Sequence, residues 1–488
     1  MSLALQPPEL LDTIASFVAP PSDLLALALT NKALHDIVIP HHLEFREVCC
    51  DARRETLWKA LADLPVLSGR INSLELLPEP YALRSSAQLL IPYSLSPGTT
   101  VQFDAAACNG SACIDLLSIA ISSMSALKRF SFGQTSLTRL GNTECLFRAL
   151  RLHCPNLREL EITFYDGNPS FDSFSGPIWE LRNLTLVSIT VTRHAGVREI
   201  PRLYLAKVFD MLSACPDLRD LRIASEMRGP AADISGFLAD QVWPDLRRLV
   251  MEGDVTFNSR SAVEKFLARH PKLEALSLPE YVALPDLPNL QWLYTPEFSR
   301  TVPAHTPRLE YAVMSNVYWS AQPNVKEVMR TLRTIPTLRG ATLDFQTTSA
   351  MRQLARELPR LERLVLTHSP WNADRTSREQ GTRLPSADCI AALTSLSNLT
   401  HLDTSATITI DEETDIVLDG LLRSLSNAPK LEFVGVDFIE PDSFPAVRWY
   451  SIMRGVHSGY AGRKEIRNVR KIRYHGWDDA WRDMGISV

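Results

Sequence analysis

The chain has 488 residues, 45% of them apolar and 22% charged, ordinary figures for folded protein that exclude wholesale disorder. Its net charge of −5 gives no bulk attraction to nucleic acid or anionic membrane. Proline (32) outnumbers glycine (20), a poor composition for Gly-rich phosphate-binding folds. Met1 to Leu5 carries neither a basic nor an apolar leader region. No apolar run approaches the 18 residues of a membrane span, and the C-terminal Gly485–Val488 carries no lipidation signal. Eight scattered cysteines suggest reduced thiols in an intracellular protein, cytoplasmic or nuclear.

Residues 5–50 read as a small helical domain. Leu10, Leu11, Ile14, Phe17 and Val18 recur at helical spacing, with Pro7 and Pro8 in the first turn, where proline is tolerated. Pro20-Pro21 is expected to end that helix. Ser22 or Asp23 would cap a second helix, Leu24–Thr30, and a third would cover Lys32–Ile39. So small a bundle has little core of its own and gains stability from a partner.

These residues resemble an F-box. The family opens Leu-Pro-x-Glu-Leu-Leu-x-x-Ile, and this chain reads Gln6-Pro7-Pro8-Glu9-Leu10-Leu11-Asp12-Thr13-Ile14. Ser22–Leu29 is similar to the family's second helix, and Asn31–Leu34 to the start of its third. Gln6 departs from the family's Leu, and Leu43-Glu44-Phe45 replaces its late Leu-Trp. The resemblance implies docking on a Skp-type adaptor within a Skp–cullin–F-box ubiquitin ligase. It carries over Pro7, Pro8, Leu10, Leu11, Ile14, Leu24, Leu25 and Leu27 as adaptor-facing or supporting residues. The alternative is a helical cap over the first layer of a repeat array. Residues 51–69 read as a helical connector that could also do the capping.

Residues 70–440 carry a repeat. Cys154-Pro155-Asn156-Leu157 through Ile162 reads x-P-x-L-x-x-L-x-Φ, where Φ is apolar. Clear copies start at Cys215, Trp243, His270, Leu358 and Ala428. Weaker ones have their first Leu at Leu127, Leu184, Leu290, Leu309, Leu338 and Leu399. Alternating apolar residues at the end of each copy predict a short strand. The intervening stretches predict helices, as in Asn258–Arg269 (Val263, Phe266, Leu267) and Val325–Thr334 (Val325, Val328, Met329, Leu332). Stacked units of this kind form one continuous core. The pattern resembles the leucine-rich repeat. The fold expected is therefore α/β: an irregular leucine-rich-repeat solenoid of parallel strands and outer helices, preceded by a three-helix F-box domain. Irregularity is expected because Tyr165, Glu226 and Asp254 stand where the family places a buried Asn or Cys.

The residues between the strand leucines are expected on the inner face. There Trp292, Tyr294 and Tyr311 come from adjacent short units and form either a binding surface or a cover over exposed core. Two polar stretches, Pro78–Thr100 and Ser369–Asp388, are further candidates as insertions. Residues 441–488 read as a C-terminal cap or tail, with Arg463–Arg473 basic and acids following it.

No dinucleotide, P-loop, zincin or nucleophile-elbow motif occurs. No metal set, catalytic residue or cofactor is expected. Cys49-Cys50-Asp51 and Cys113-Ile114-Asp115 match the C-x-D pattern of some bacterial leucine-rich-repeat ligases, but lie in no separate catalytic domain. Two readings lead. One is a non-catalytic, substrate-recognising ubiquitin-ligase subunit, with an adaptor and cullin complex and an unnamed protein substrate as partners, and with neither nucleic acid nor membrane. The other is a non-ligase interaction scaffold.

Overall fold

The computed structural model describes residues 6–18, 21–77, 90–92, 110–133, 143–165, 176–192, 202–225, 232–253, 255–295, 307–314, 325–343, 348–366, 387–409, 414–425, 427–439, 446–454 and 461–465. The chain divides into two compact units, Met1–Asn258 and Ser259–Val488.

The first unit opens with helices α1 (Pro8–Phe17), α2 (Pro21–Ala28) and α3 (Lys32–Val38). Pro8 stands in the first turn of α1, where a missing N–H costs nothing. Pro21 opens α2 rather than merely closing α1, so the expected cap does not form. Ser22 and Asp23 lie inside the first turn, and the Ser22 hydroxyl is 3.4 Å from the Asp23 carboxylate. The fixed φ of proline suits a first helical position, which explains the earlier start. Asn31 caps α3, its side chain accepting the Leu34 N–H at 2.9 Å. One π-helical turn, Ile39–Leu43, then leads into the sheet.

Seven strands of this unit pair in parallel: β1 (Glu47–Asp51), β2 (Ser73–Leu77), β3 (Arg129–Gly133), β4 (Glu159–Tyr165), β5 (Leu186–Thr192), β6 (Asp220–Ser225) and, after the two-residue β7 (Ala232–Asp233), β8 (Arg248–Gly253). The short β9 (Val255–Thr256) pairs with β7. Parallel neighbours need crossovers. These are helical at α4 (Glu55–Asp63), α5 (Pro65–Ser68), α6 (Gly110–Ser122), α7 (Glu144–His153), α8 (Arg202–Ser213) and α9 (Ser235–Asp240), with a 3₁₀ turn at Pro177–Glu180. The sheet starts earlier than the repeat pattern implies. β1 falls at the junction read as the end of the head and the start of a connector, because Val48 and Cys50 bury against the core although no x-P-x-L precedes them.

In the second unit, α10 (Arg260–Ala268) precedes β10 (Ala275–Ser277), β11 (Trp292–Tyr294) and β12 (Tyr311–Met314). Then α11 (Val325–Arg333), β13 (Gly340–Leu343), α12 (Thr348–Glu357), β14 (Arg363–Leu366), α13 (Ala387–Thr394), β15 (His401–Thr409), α14 (Thr414–Leu425) and β16 (Phe433–Ile439) alternate. Strands β10 to β16 are parallel. Both helices foreseen from apolar spacing form. In α10, Val263, Phe266 and Leu267 are fully buried, and in α11 so are Met329 and Leu332. Residues 278–291, between β10 and β11, contain no helix. Val282, Leu287 and Leu290 fill the core there instead.

The repeat motif works as a physical unit. Leu157, Leu160 and Ile162 are buried, as are Leu218, Leu221 and Ile223, and Leu273, Leu276 and Leu278. Ahead of each strand, an amide donates to the equivalent carbonyl of the previous repeat: Arg158 to Lys128 at 2.8 Å, Arg219 to Thr185 at 2.8 Å, Glu362 to Arg339 at 2.7 Å. The asparagine just before the anchor leucine adds a rung. Asn156 donates to the Ser125 carbonyl, Asn289 to Pro271 and Asn398 to Pro359, at 2.9, 3.2 and 3.1 Å. Tyr165 ends β4, while Glu226 and Asp254 lie outside the described residues.

The chain region read as a terminal cap holds two antiparallel strands, β17 (Ala446–Arg454) on β16 and β18 (Ala461–Glu465) on β17. Arg463 and Lys464 sit in β18. The rest of the basic stretch, and most of Pro78–Thr100 and Ser369–Asp388, lie outside the described residues.

Candidate interaction surfaces

The head divides the residues singled out by its motif into two sets. Leu11 (1% exposed) and Leu24 (0%) are buried, Leu24 together with Ala15, Ala28 and Val38 in a core of small side chains. Leu27 is partly buried against that core, and Ile14 is half-buried. By contrast, Leu10 (44%) and Leu25 (46%) face solvent, as do Pro7 and Pro8. Two further apolar side chains, Phe17 (82%) and Leu29 (74%), are more exposed still. The motif did not single these two out. Their signal was position: each lies in the last turn of its helix or just beyond, where the core no longer reaches.

A polar clasp ties α1 to the chain entering β2. Asp12 on α1 accepts from His42 Nε2 at 2.9 Å and from Arg70 Nη1 and Nη2 at 2.9 and 3.2 Å. Burial alone would raise the Asp12 carboxyl, but the His42 and Arg70 hydrogen bonds outweigh it and hold it below its ordinary range. Burial lowers His42, and the Asp12 bond only partly offsets this. The imidazole is therefore neutral at pH 7 and donates through Nε2–H. Phe45, in the turn leading to β1, is 1% exposed. Phe45 thus fills an interior site.

Strand alternation sends one set of side chains toward the helices. Phe132 on β3 meets Phe147 on α7 edge-on, with centroids 5.8 Å apart. The other set forms rows on the opposite face. In the second unit the first row is Ala275, Trp292, Tyr311, Gly340, Arg363, His401, Phe433, and the second is Ser277, Tyr294, Val313, Thr342, Val365, Asp403, Gly435. Trp292, Tyr294 and Tyr311 do come together, packed with Val313 and Ala275. Trp292 and Tyr311 are nearly covered, and the Tyr311 hydroxyl lies 3.1 Å from Thr342 Oγ1. The Tyr311 ring lies over Gly340, where an added Cβ would sit 2.0 Å from ring carbon Cδ2. Further along, His401 stacks on Phe433 with centroids 4.6 Å apart, and burial lowers its pKa to about 4. Burial also lowers Arg363.

The matching face of the first unit is charged. Its rows run Ser73, Arg129, Glu159, Leu186, Asp220, Arg248 and Glu75, Ser131, Glu161, Ser188, Arg222, Val250. Arg129 meets Glu161 at 2.8 Å, Arg222 meets Glu252 at 3.1 Å and Arg248 meets Asp220 at 3.5 Å. Burial would lower Arg129, but Glu161, Glu75 and Glu159 together raise it.

Cys50, Cys113 and Cys154 lie in the interior. Cys50 is fully buried and its thiol is pushed well above the ordinary range by burial, then by Cys49. Burial likewise pushes Cys154 up to about 12. A reactive thiol needs the opposite environment. Cys113 is also buried, 3.8 Å from the Arg53 carbonyl. Asp51, beside Cys50, is occupied by a bidentate pair with Arg53. Among the described residues no group of three His, Cys, Asp or Glu could hold a metal. No described helix is long and apolar enough to cross a membrane.

No family model matches the chain, and no curated protein matches it. Solved structures are similar to it, and three of them illustrate the likeness. A chain of the crystal structure of the Rad7 and Elc1 complex in yeast is 15% identical over 60% of this chain and 72% of its own, with a TM-score of 0.38. The leucine-rich repeat-containing protein LegL7 from Legionella pneumophila is 11% identical over 82% and 85%, with a TM-score of 0.22. A leucine-rich-repeat protein of Leptospira interrogans is 14% identical over 65% and 92%, also with a TM-score of 0.22.

Proposed function

We propose that this chain is a non-catalytic, substrate-recognising subunit of a Skp–cullin–F-box ubiquitin ligase. Its head would dock a Skp-type adaptor, and its strand–helix repeats would hold a protein substrate. One observation carries the reading: a three-helix head with a core of Ala15, Leu24, Ala28 and Val38 turns four large apolar side chains, Leu10, Phe17, Leu25 and Leu29, to solvent. Such a surface costs solubility unless a partner covers it. The head motif quoted above supplies the partner's class. Catalysis would be by proximity, with substrate held near a ubiquitin carrier at high effective concentration. No reacting group of the chain itself is then needed, which accords with its buried, high-pKa Cys50 and Cys154.

Mixing the purified full chain with a Skp-type adaptor and a cullin scaffold tests this. The expected result is co-elution of all three on size exclusion, lost in Leu10→Asp/Leu25→Asp. Co-elution of adaptor and cullin without this chain overturns it.

A further inference from the structure

We propose that the sheet face of the first unit opposite its described helices, over β1 to β4, docks an extended Lys/Arg-rich segment of a partner protein. This deepens the substrate-holding role proposed above and rests on it for the partner's fate, though not for binding.

The argument is charge complementarity. Across the unit each arginine of the face is already engaged by one carboxylate, as Arg129 is by Glu161 at 2.8 Å. Beyond those pairs Glu47, Glu75 and Glu159 remain as surplus. Register places Glu47 opposite Ser73, Glu75 opposite Ser131, and Glu159 opposite Arg129. Glu75 and Glu159 both act on Arg129, so three carboxylates share one guanidinium. The surplus charge is fixed on rigid strands rather than on loops, so little ordering is lost on binding. Glu47 is exposed, and Glu75 and Glu159 are half-buried.

Geometry sets the partner's form. Strands lie about 4.8 Å apart, so β1 to β4 span about 14 Å. An extended segment rises about 3.3 Å per residue, so alternate side chains repeat about every 7 Å. Cations on every second residue of a five- or six-residue stretch therefore match the spread of the three surplus carboxylates. Nucleic acid is repelled by the same surplus. On the corresponding face of the second unit Trp292 and Tyr311 are nearly covered and Val365 is fully buried, and the one carboxylate in the two rows given above, Asp403, is itself buried.

The probe is a fluorescent twelve-residue peptide of alternating lysine and serine, with a glutamate–serine peptide as its opposite, titrated onto the full chain at low and high salt. The lysine peptide is expected to bind more tightly and to weaken as salt rises. Glu75→Lys/Glu159→Lys should weaken it by about tenfold or more. The neutral pair Glu75→Gln/Glu159→Gln should move it in the same direction by a smaller factor, and guards against misfolding caused by new repulsion near Arg129. A charge-matched control, Asp217→Lys/Asp240→Lys, lies off the face in exposed positions and should leave binding within about twofold. Equal losses in the face and control variants would show attraction to net charge alone and overturn the proposal. So would equal binding of the two peptides, or unchanged binding in the glutamine pair. Adaptor binding measured on the same preparations separates failure of this proposal from failure of the ligase reading.

Discussion

Leu10 and Leu11 are neighbours in sequence and opposites in environment, 44% and 1% exposed. Leu11→Asp buries a carboxylate without a partner and should unfold the head, seen as lost helical signal and protease sensitivity. Leu10→Asp should leave both unchanged. At Gly340 the Tyr311 ring occupies the space of any side chain. Gly340→Ala should therefore displace the ring from Thr342 and cost about 1–3 kcal/mol in urea unfolding. A change below about 0.5 kcal/mol would contradict the packing described. His401 is held neutral down to about pH 4 by burial and by Arg363, whereas an unfolded chain protonates histidine near 6.5. Between those values the unfolded state binds the additional proton. The contribution is thus full above pH 6.5 and falls as the pH drops toward 4. At pH 5 the loss is about 2 kcal/mol. His42 and His270, also lowered by burial, act in the same direction. His401→Phe keeps the stack on Phe433 and removes the titration. Its unfolding free energy should fall less between pH 7.5 and pH 5 than that of the wild type. An equal fall in both proteins would contradict this.

At the scale of elements, the strands were the most legible feature. Each x-P-x-L-x-x-L-x-Φ copy puts its apolar residues where a strand must bury them, and the leucines from Leu157 to Leu278 are buried accordingly. The helices α10 and α11 were legible for the same reason, with a different period. What escaped was of three kinds. β1 carries no repeat motif, since its place comes from pairing with β2 and not from its own pattern. The start of α2 escaped because Pro20-Pro21 reads equally as a stop and as a start, and the fixed φ of Pro21 suits it to the first helical position. The asparagine rungs at Asn156, Asn289 and Asn398 were visible as letters, but their acceptors lie one repeat away and only the fold brings them close. They predict that Asn156→Leu costs about 1 kcal/mol by leaving the Ser125 carbonyl without this donor, measurable by urea unfolding. The aromatic trio was foreseen as a cluster, and its choice between binding and packing depended on burial, which one sequence does not display. Trp292 and Tyr311 are packed, leaving Tyr294 as the half-buried member.

At the scale of the whole molecule, each of the two units contains a parallel α/β array built from one repeating hydrogen-bond scheme, and the second adds the antiparallel β17 and β18. The first unit also carries the head, joined by Phe45 and the Asp12–His42–Arg70 clasp with no long linker before β1. Its candidate surfaces differ in chemistry, apolar on the head and charged on the sheet, so two dissimilar partners could be bound by separate residues. The second unit turns a largely buried aromatic and polar face to the side away from its helices. The most direct measurement is the heat of binding of a purified Skp-type adaptor to the full chain and to Leu10→Asp/Leu25→Asp. Each exposed leucine buried at an interface contributes about 1.5–3 kcal/mol. The account predicts saturable wild-type binding weakened by about 100-fold or more in the variant, with its helical content and melting temperature unchanged. Absence of binding by folded wild-type protein, or equal binding by the variant, would contradict it.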